Sequence, residues 1–70
     1  MTFGQYIRQE RTHRNLSQDT LAQALGFEHR SNIHRLETDK LEWKLSSVEK
    51  LARLFDTTAS QLIADYEAQR

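Results

Sequence analysis

Apolar residues recur at the three-and-four spacing of an amphipathic helix in four stretches of the chain. A fifth, thinner stripe is formed by Ile33 and Leu36 alone. The fuller stripes consist of Phe3, Tyr6 and Ile7; Leu21, Ala22 and Leu25; Val48, Leu51, Ala52 and Phe55; and Ala59, Leu62, Ile63 and Tyr66. The pattern predicts an all-α fold, with five short helices around one core.

Hydroxyl side chains mark where most of these helices begin. Thr2, Ser17 and Thr58 precede the first, second and last apolar stripes, where a hydroxyl oxygen can accept a bond from an unpaired backbone N–H. Ser46, followed three residues later by Glu49, has the spacing of a capping box and predicts the start of the fourth helix.

Residues that tolerate left-handed backbone geometry indicate where helices end. Gly26 follows the second stripe and should terminate that helix. The first helix should run to about Arg14, and we expect residues 65–70 to fray.

The segment from Leu16 to Glu37 therefore contains two short helices joined by a sharp turn. The second helix has few apolar residues, so most of its surface is free for a partner. Between residues 29 and 36, two arginines and two histidines are accompanied by no carboxylate. Such a donor-rich surface suits an acceptor-rich partner. The donor residues are His29, Arg30, Ser31, Asn32, His34 and Arg35.

The ordered spacing of these positions resembles the phage-repressor and Cro type of helix-turn-helix protein, also called Xre-like. The resemblance extends from Phe3 to about Ile63. It rests on Ile7-Arg8, Arg11, Leu16-Ser17-Gln18, Leu21-Ala22, Leu25-Gly26, Ile33, Leu36-Glu37 and Leu51-Ala52. It implies a compact five-helix repressor-like domain that spans residues 1–70. Helices 2 and 3 form the helix-turn-helix, and a recognition helix at about residues 29–37 enters the major groove of DNA.

The resemblance also assigns residues that read bases. Arg30, Ser31 and Arg35 fall on the positions that read base edges in matching family members, and either arginine can pair bidentately with guanine. The alternative for each arginine is a solvated side chain tethered to a nearby carboxylate. His29 and His34 are further possible DNA contacts, or surface imidazoles without a role.

Phosphate contacts are implied at four further positions. Gln18 and Asn32 match family positions that hold phosphates, and Gln18 lies at the start of a helix. Thr38 and Lys40, just after the recognition helix, are placed to contact the next phosphates, although any exposed lysine has the same appearance in sequence.

An internal ion pair is implied between Arg11, on the first helix, and Glu37, at the end of the recognition helix. The sequence also departs from the family pattern. Asn15 and Asp56 occupy positions where the family usually or often has glycine, and asparagine tolerates left-handed backbone geometry best among the other residues. Two further departures lie in the segments around the recognition helix. One extra residue between Gly26 and Ile33 lengthens the turn before the recognition helix. Asp39 replaces a glycine that is frequent in the family, and the loop that follows is lengthened. This loop contains Trp43, which is expected either to cover the core as a lid or to contact another subunit.

Composition limits the other possibilities. The chain has 70 residues, ten basic and ten acidic side chains, and no cysteine. The length predicts one domain, and the absence of disulfides, of a secretory leader and of a long apolar run predicts a soluble intracellular protein. The resemblance implies a bacterial or phage-encoded protein of the cytoplasm, associated with the nucleoid when it is bound to DNA. Balanced charge argues against strong non-specific DNA binding, so base contacts must matter.

No enzyme chemistry, metal or cofactor is expected. The chain has no cysteine nucleophile and no glycine-rich phosphate loop. His29 and His34 are five residues apart, which is wrong for two metal ligands on one helical face, and no third ligand accompanies them.

One recognition helix reads only a few base pairs, so we expect a homodimer on a palindromic operator, with half-sites about 34 Å apart. The predicted interface is Leu62, Ile63 and Tyr66, for which the alternative is closure of the core. The rival function is a protein-binding helical module of the same fold, such as an antitoxin or adaptor, in which DNA binding is secondary or lost. Net charge zero favours this rival.

Overall fold

The computed structural model describes residues 1–69 and contains five α-helices and no strand in that part of the chain. The helices are α1 (Phe3–His13), α2 (Gln18–Leu25), α3 (Ser31–Glu37), α4 (Leu45–Leu54) and α5 (Ala59–Ala68). The all-α, five-helix prediction is confirmed. No helix within residues 1–69 has the length and apolar character needed to cross a membrane.

The predicted apolar stripes meet in one core. Helix α1 packs on α3, α2 packs on both α3 and α4, and α4 packs on α5. The buried apolar residues are Tyr6, Ile7, Leu21, Ala22, Leu25, Ile33, Leu36, Val48, Leu51, Ala52, Phe55 and Leu62. Because Ile33 and Leu36 are both about 1% exposed, α3 is held against the core by its thin stripe and its other faces remain outside.

The caps of α1 and α2 follow the sequence prediction. The Thr2 hydroxyl accepts a bond from the Gln5 N–H, and the Gln5 side chain accepts one from the Thr2 N–H, which closes a capping box. The Ser17 hydroxyl accepts the Thr20 N–H at 3.0 Å. These bonds satisfy backbone N–H groups in the first turns of α1 and α2.

Each of the first four helices ends in the same way. One residue adopts positive φ, and the next N–H reaches back five residues to a helix carbonyl, as in a Schellman motif. The four positive-φ residues are Asn15, Gly26, Asp39 and Asp56. Asparagine and aspartate tolerate this geometry better than other side chains, which explains how they replace glycine at three of these positions.

The predicted start of α4 and the predicted fraying of α5 are wrong. Helix α4 begins at Leu45, and its N-cap is Lys44, two residues before the predicted cap Ser46, with no capping bond from the Lys44 side chain. Helix α5 remains regular to Ala68, although residues 65–70 were expected to fray; Arg70 lies outside the described residues. The Gln61 side chain donates to Asp65 at 2.8 Å, which supports that last stretch from within the helix.

An aromatic cluster joins the N-terminus, the α3–α4 loop and α5. The Phe3 ring packs edge-on against Trp43, with centroids 5.1 Å apart, and against Tyr66, with centroids 5.3 Å apart. The Tyr66 hydroxyl also donates to the Met1 carbonyl at 3.2 Å. Trp43 therefore covers the core beside Phe3, as the lid interpretation predicted.

Candidate nucleic-acid interface

The turn between α2 and α3 is built by Gly26. Its φ of 82° lets the Phe27 N–H reach the Ala22 carbonyl at 2.9 Å, which ends α2 abruptly. Residues 27–30 then form the turn, and α3 begins at Ser31. The prediction that the recognition helix starts at about residue 29 is therefore wrong by two residues, because the extra residue of this chain is taken up by the turn.

His29 and Arg30 consequently precede the helix. Arg30 occupies the N-cap position with helical backbone angles, φ −62° and ψ −19°, and makes no capping bond with its side chain. That side chain is 71% exposed, and its Nη1 lies 3.8 Å from Oδ2 of Asp19 on α2. Arg30 is thus both exposed for a partner and tethered to a carboxylate.

The outward surface of α3 carries polar side chains only. Ser31, His34 and Arg35 are exposed and Asn32 is half-buried, whereas the apolar anchors of the helix point into the core. The structure thus leaves five polar side chains exposed on α3 or just before it: His29, Arg30, Ser31, His34 and Arg35. This surface can offer several N–H and O–H donors to a partner.

The Glu37 carboxylate is buried and bonded by two side chains. Arg11 Nε lies 2.7 Å from its Oε2, and Arg11 Nη2 donates to Oε1 at 3.2 Å. Gln18 Nε2 donates to the same Oε1 at 3.2 Å. Arg11 Nη1 also donates to the Leu16 carbonyl at 2.9 Å. These bonds join α1, the start of α2 and the end of α3.

Gln18 is therefore tied to the scaffold. A side-chain amide has two N–H donors, and the bond to Glu37 occupies one of them. The other remains available for a phosphate oxygen at the N-terminus of α2, where backbone N–H groups also point outward.

The segment after α3 holds the remaining predicted phosphate contacts. Lys40 is exposed, but the Thr38 hydroxyl donates its one hydrogen to the His34 carbonyl at 2.8 Å. Thr38 must break this bond before it can donate to a phosphate. The neighbouring Asp39 carboxylate accepts the Thr2 hydroxyl at 2.5 Å, which anchors the segment to the start of α1.

A shallow groove of about 660 Å³ runs between α1 and the end of α3. Its lining residues are Gln5, Arg8, Gln9, Thr12, Glu37, Thr38 and Asp39.

Arg8 and Asp19 are two charged residues near the predicted contacts to which the sequence assigns no role. The Asp19 contact links residues 11 positions apart across a turn, so helical spacing within one element does not reveal it. Within residues 1–69, no group of histidine, cysteine or carboxylate side chains is arranged to hold a metal ion.

Two short helices joined by a glycine turn, with the second anchored by two apolar residues and otherwise polar outside, define a helix-turn-helix protein. The family model described as a helix-turn-helix domain matches residues 2–63, and the chain belongs to this family. Proteins of this class bind DNA as regulators and are typically not enzymes. Comparisons with curated proteins and with solved structures give no match.

Proposed function

We propose that the protein is a sequence-specific transcription regulator of the phage-repressor and Cro type, with α3 in the major groove. The observation that carries the proposal is the outer surface of residues 29–36, which has two arginines, two histidines and no carboxylate. Base edges in the major groove are rich in acceptors, and a guanidinium pairs with the O6 and N7 of guanine.

In this proposal Arg30, Ser31 and Arg35 read base edges. All three are exposed, and the first two lie at the start of α3, the end of a recognition helix that enters the groove. His29 and His34 flank them and can contact either a base or the sugar-phosphate backbone.

Phosphate contacts hold the protein in register. Gln18 and Asn32 supply side-chain amides near the starts of the two helices, and Lys40 supplies a point charge after α3. Thr38 contributes only if its hydroxyl leaves the His34 carbonyl. With net charge zero, these few contacts give modest non-specific affinity, and base contacts make the larger difference between sequences.

The test of DNA binding is the salt dependence of affinity for random-sequence duplex. The logarithm of the association constant should fall linearly with the logarithm of salt concentration, by about 0.9 units of slope for each phosphate neutralised. Arg35→Ala should weaken binding, whereas Arg53→Ala, an exposed arginine on α4, is the matched control. Absence of measurable binding at low salt would overturn the proposal.

We further propose that the protein acts as a homodimer on a palindromic operator. The domain measures 31 × 23 × 23 Å, so two copies with centres one helical turn apart, roughly 34 Å, come within reach of each other along their long axes. Leu62 is unavailable for this interface because it is 2% exposed within the domain. Ile63 is 36% exposed on the same helix and is the better candidate, with the half-buried Tyr66 beside it.

A protein-binding module of the same fold is the second candidate. Two observations favour it. The net charge is zero, and two carboxylates lie near Arg30: Glu28 is two residues before it in sequence, and Asp19 is 3.8 Å from it in space. An antitoxin or adaptor of this kind would show no salt-dependent duplex binding. In the regulator proposal the protein works in the bacterial cytoplasm, where the operator is.

A further inference from the structure

The fold brings one acidic side chain against the proposed base-reading arginine. Asp19 lies in the first turn of α2 and Arg30 lies just before α3, so their contact spans the turn between the two helices. The distance from Arg30 Nη1 to Asp19 Oδ2 is 3.8 Å, and the side chains are 71% and 68% exposed. Both groups are therefore accessible to a bound duplex.

The geometry of the contact leaves most of the guanidinium free. A guanidinium has five N–H donors arranged in a planar fork, and the contact with Asp19 involves one terminal nitrogen. The remaining donors are sufficient for a bidentate pair with O6 and N7 of guanine. Arg30 can thus hold Asp19 and a guanine at the same time.

The carboxylate also changes what Arg30 does on the wrong sequence. An arginine without a neighbouring acid can swing to any phosphate and strengthens binding to every duplex. An arginine held by Asp19 brings little net charge to the backbone, and the carboxylate itself is repelled by phosphates. The pair therefore contributes to affinity mainly where a guanine can accept the guanidinium fork. Discrimination is the difference between the affinity for that sequence and the affinity for other sequences, so the pair increases discrimination.

We propose that Asp19 is a positioning residue that holds Arg30 toward one guanine and thereby sets the base preference of the domain. This inference rests on the proposed function, in which Arg30 reads a base.

Glu28 provides the matched control. It lies in the α2–α3 turn, two residues before Arg30, and is exposed. Among the described residues it takes part in no ion pair within 4 Å. Glu28→Gln removes the same charge as Asp19→Asn from the same helix-turn-helix segment, but it leaves the contact between Asp19 and Arg30 intact.

The experiment begins with an operator selected by the parent protein from a random duplex pool. Affinity is then measured for that operator and for duplexes changed at each base pair, with Asp19→Asn, Glu28→Gln, Arg30→Ala and the double variant Asp19→Asn/Arg30→Ala. Circular dichroism checks folding, and Asp19→Ala is a second variant at this exposed position.

Asp19→Asn should lose about two- to fivefold of discrimination, the factor that corresponds to an exposed ion pair, at the same base pair as Arg30→Ala. It should have no further effect on discrimination at that pair once Arg30 is alanine. Glu28→Gln should change the affinity for all duplexes by one common factor. If Asp19→Asn does the same, that result overturns this inference and leaves the proposed function standing. A parent protein with no base preference would overturn the proposed function as well.

Discussion

Arg11 Nε lies 2.7 Å from Oε2 of Glu37, and this ion pair joins the first helix to the end of α3. The side chains are 12% and 1% exposed, so the Glu37 carboxylate is buried and depends on the half-buried Arg11 guanidinium for its counter-charge. Because the same carboxylate also accepts the Gln18 amide, the pair positions the start of α2 as well. The orientation of the proposed DNA-binding elements thus depends on one buried carboxylate.

Replacement of Arg11 by alanine should lower the free energy of unfolding by about 3 to 5 kcal/mol, because Glu37 would keep an uncompensated buried charge. Urea denaturation followed by circular dichroism measures the loss. Arg11→Lys, which keeps the charge but loses the planar fork, should lie between the parent and Arg11→Ala. Arg8→Ala, an exposed arginine on the same helix, is the control. Equal stability of Arg8→Ala and Arg11→Ala would contradict the prediction.

A second prediction concerns Gly4, where the backbone of α1 comes close to the end of α3. A Cβ at this position would overlap the Leu36 carbonyl oxygen and lie 2.8 Å from both the Glu37 carbonyl oxygen and Asp39 Oδ1. Gly4→Ala should therefore destabilise the fold by about 1 to 3 kcal/mol, although alanine is the better helix former. Thermal and urea melts provide the measurement.

The control for Gly4 is Thr12→Ala, at an exposed position of the same helix. It gains helix propensity without a clash and should be within about 0.5 kcal/mol of the parent. A stabilised Gly4→Ala variant would mean that α1 and α3 are further apart than the structure shows.

Several features of the fold could be predicted from the sequence because their signals are local. Ser17 and Gly26 determine the start and end of α2 through bonds within a few residues. The start of α4 was misplaced because it depends on the loop before it, where Trp43 packs against Phe3, and not on Ser46 alone. Local patterns are reliable where no tertiary contact competes with them.

The features of the candidate site also differ in whether they depend on local sequence or on tertiary contacts. The exposure of Arg30 and Arg35 could be predicted from the sequence, because the apolar anchors Ile33 and Leu36 fix which face of α3 is buried. The tether from Asp19 to Arg30 and the close approach at Gly4 could not be predicted, because each depends on how two helices cross. The one-residue insertion before α3 also moved His29 and Arg30 out of the helix, which no periodicity in the turn could indicate.

The neighbours Leu62 and Ile63 should respond differently to substitution. Leu62→Ala should cost about 2 to 5 kcal/mol of folding free energy, because the side chain is 2% exposed within the core. Ile63→Ala should cost much less and should instead weaken self-association and operator binding. Urea melts and sedimentation velocity separate the two effects. Unchanged sedimentation of Ile63→Ala, compared with a dimeric parent, would place the interface elsewhere.

Tyr6 should make the fold sensitive to alkali. Burial, with smaller effects of Glu10 and Asp65, raises the pKa of the Tyr6 hydroxyl above its ordinary 10.0. The unfolded chain therefore loses this proton at lower pH than the folded chain, and the stabilisation is present below pH 10.0 and lost as pH rises through the raised pKa.

As the pH rises from about 9 to about 11, Tyr6→Phe should consequently lose less free energy of unfolding than the parent. Urea melts at several pH values measure this difference. The control is Thr12→Ala, which removes no ionisable group and should keep the parental slope. Parallel pH profiles for Tyr6→Phe and the parent would show that Tyr6 does not control alkaline stability.

The roles proposed for Arg30 and Gln18 differ in their effect on selectivity. Arg30→Ala should cost about 1 to 3 kcal/mol on the selected operator and relax the preference at one base pair, because a bidentate contact to guanine is lost. Gln18→Ala should weaken all duplexes alike, because its free N–H meets a phosphate that every sequence contains. Affinities for the operator and its single-base variants, at one salt concentration, test both statements. Equal losses on every duplex for both variants would show that Arg30 contacts the backbone only.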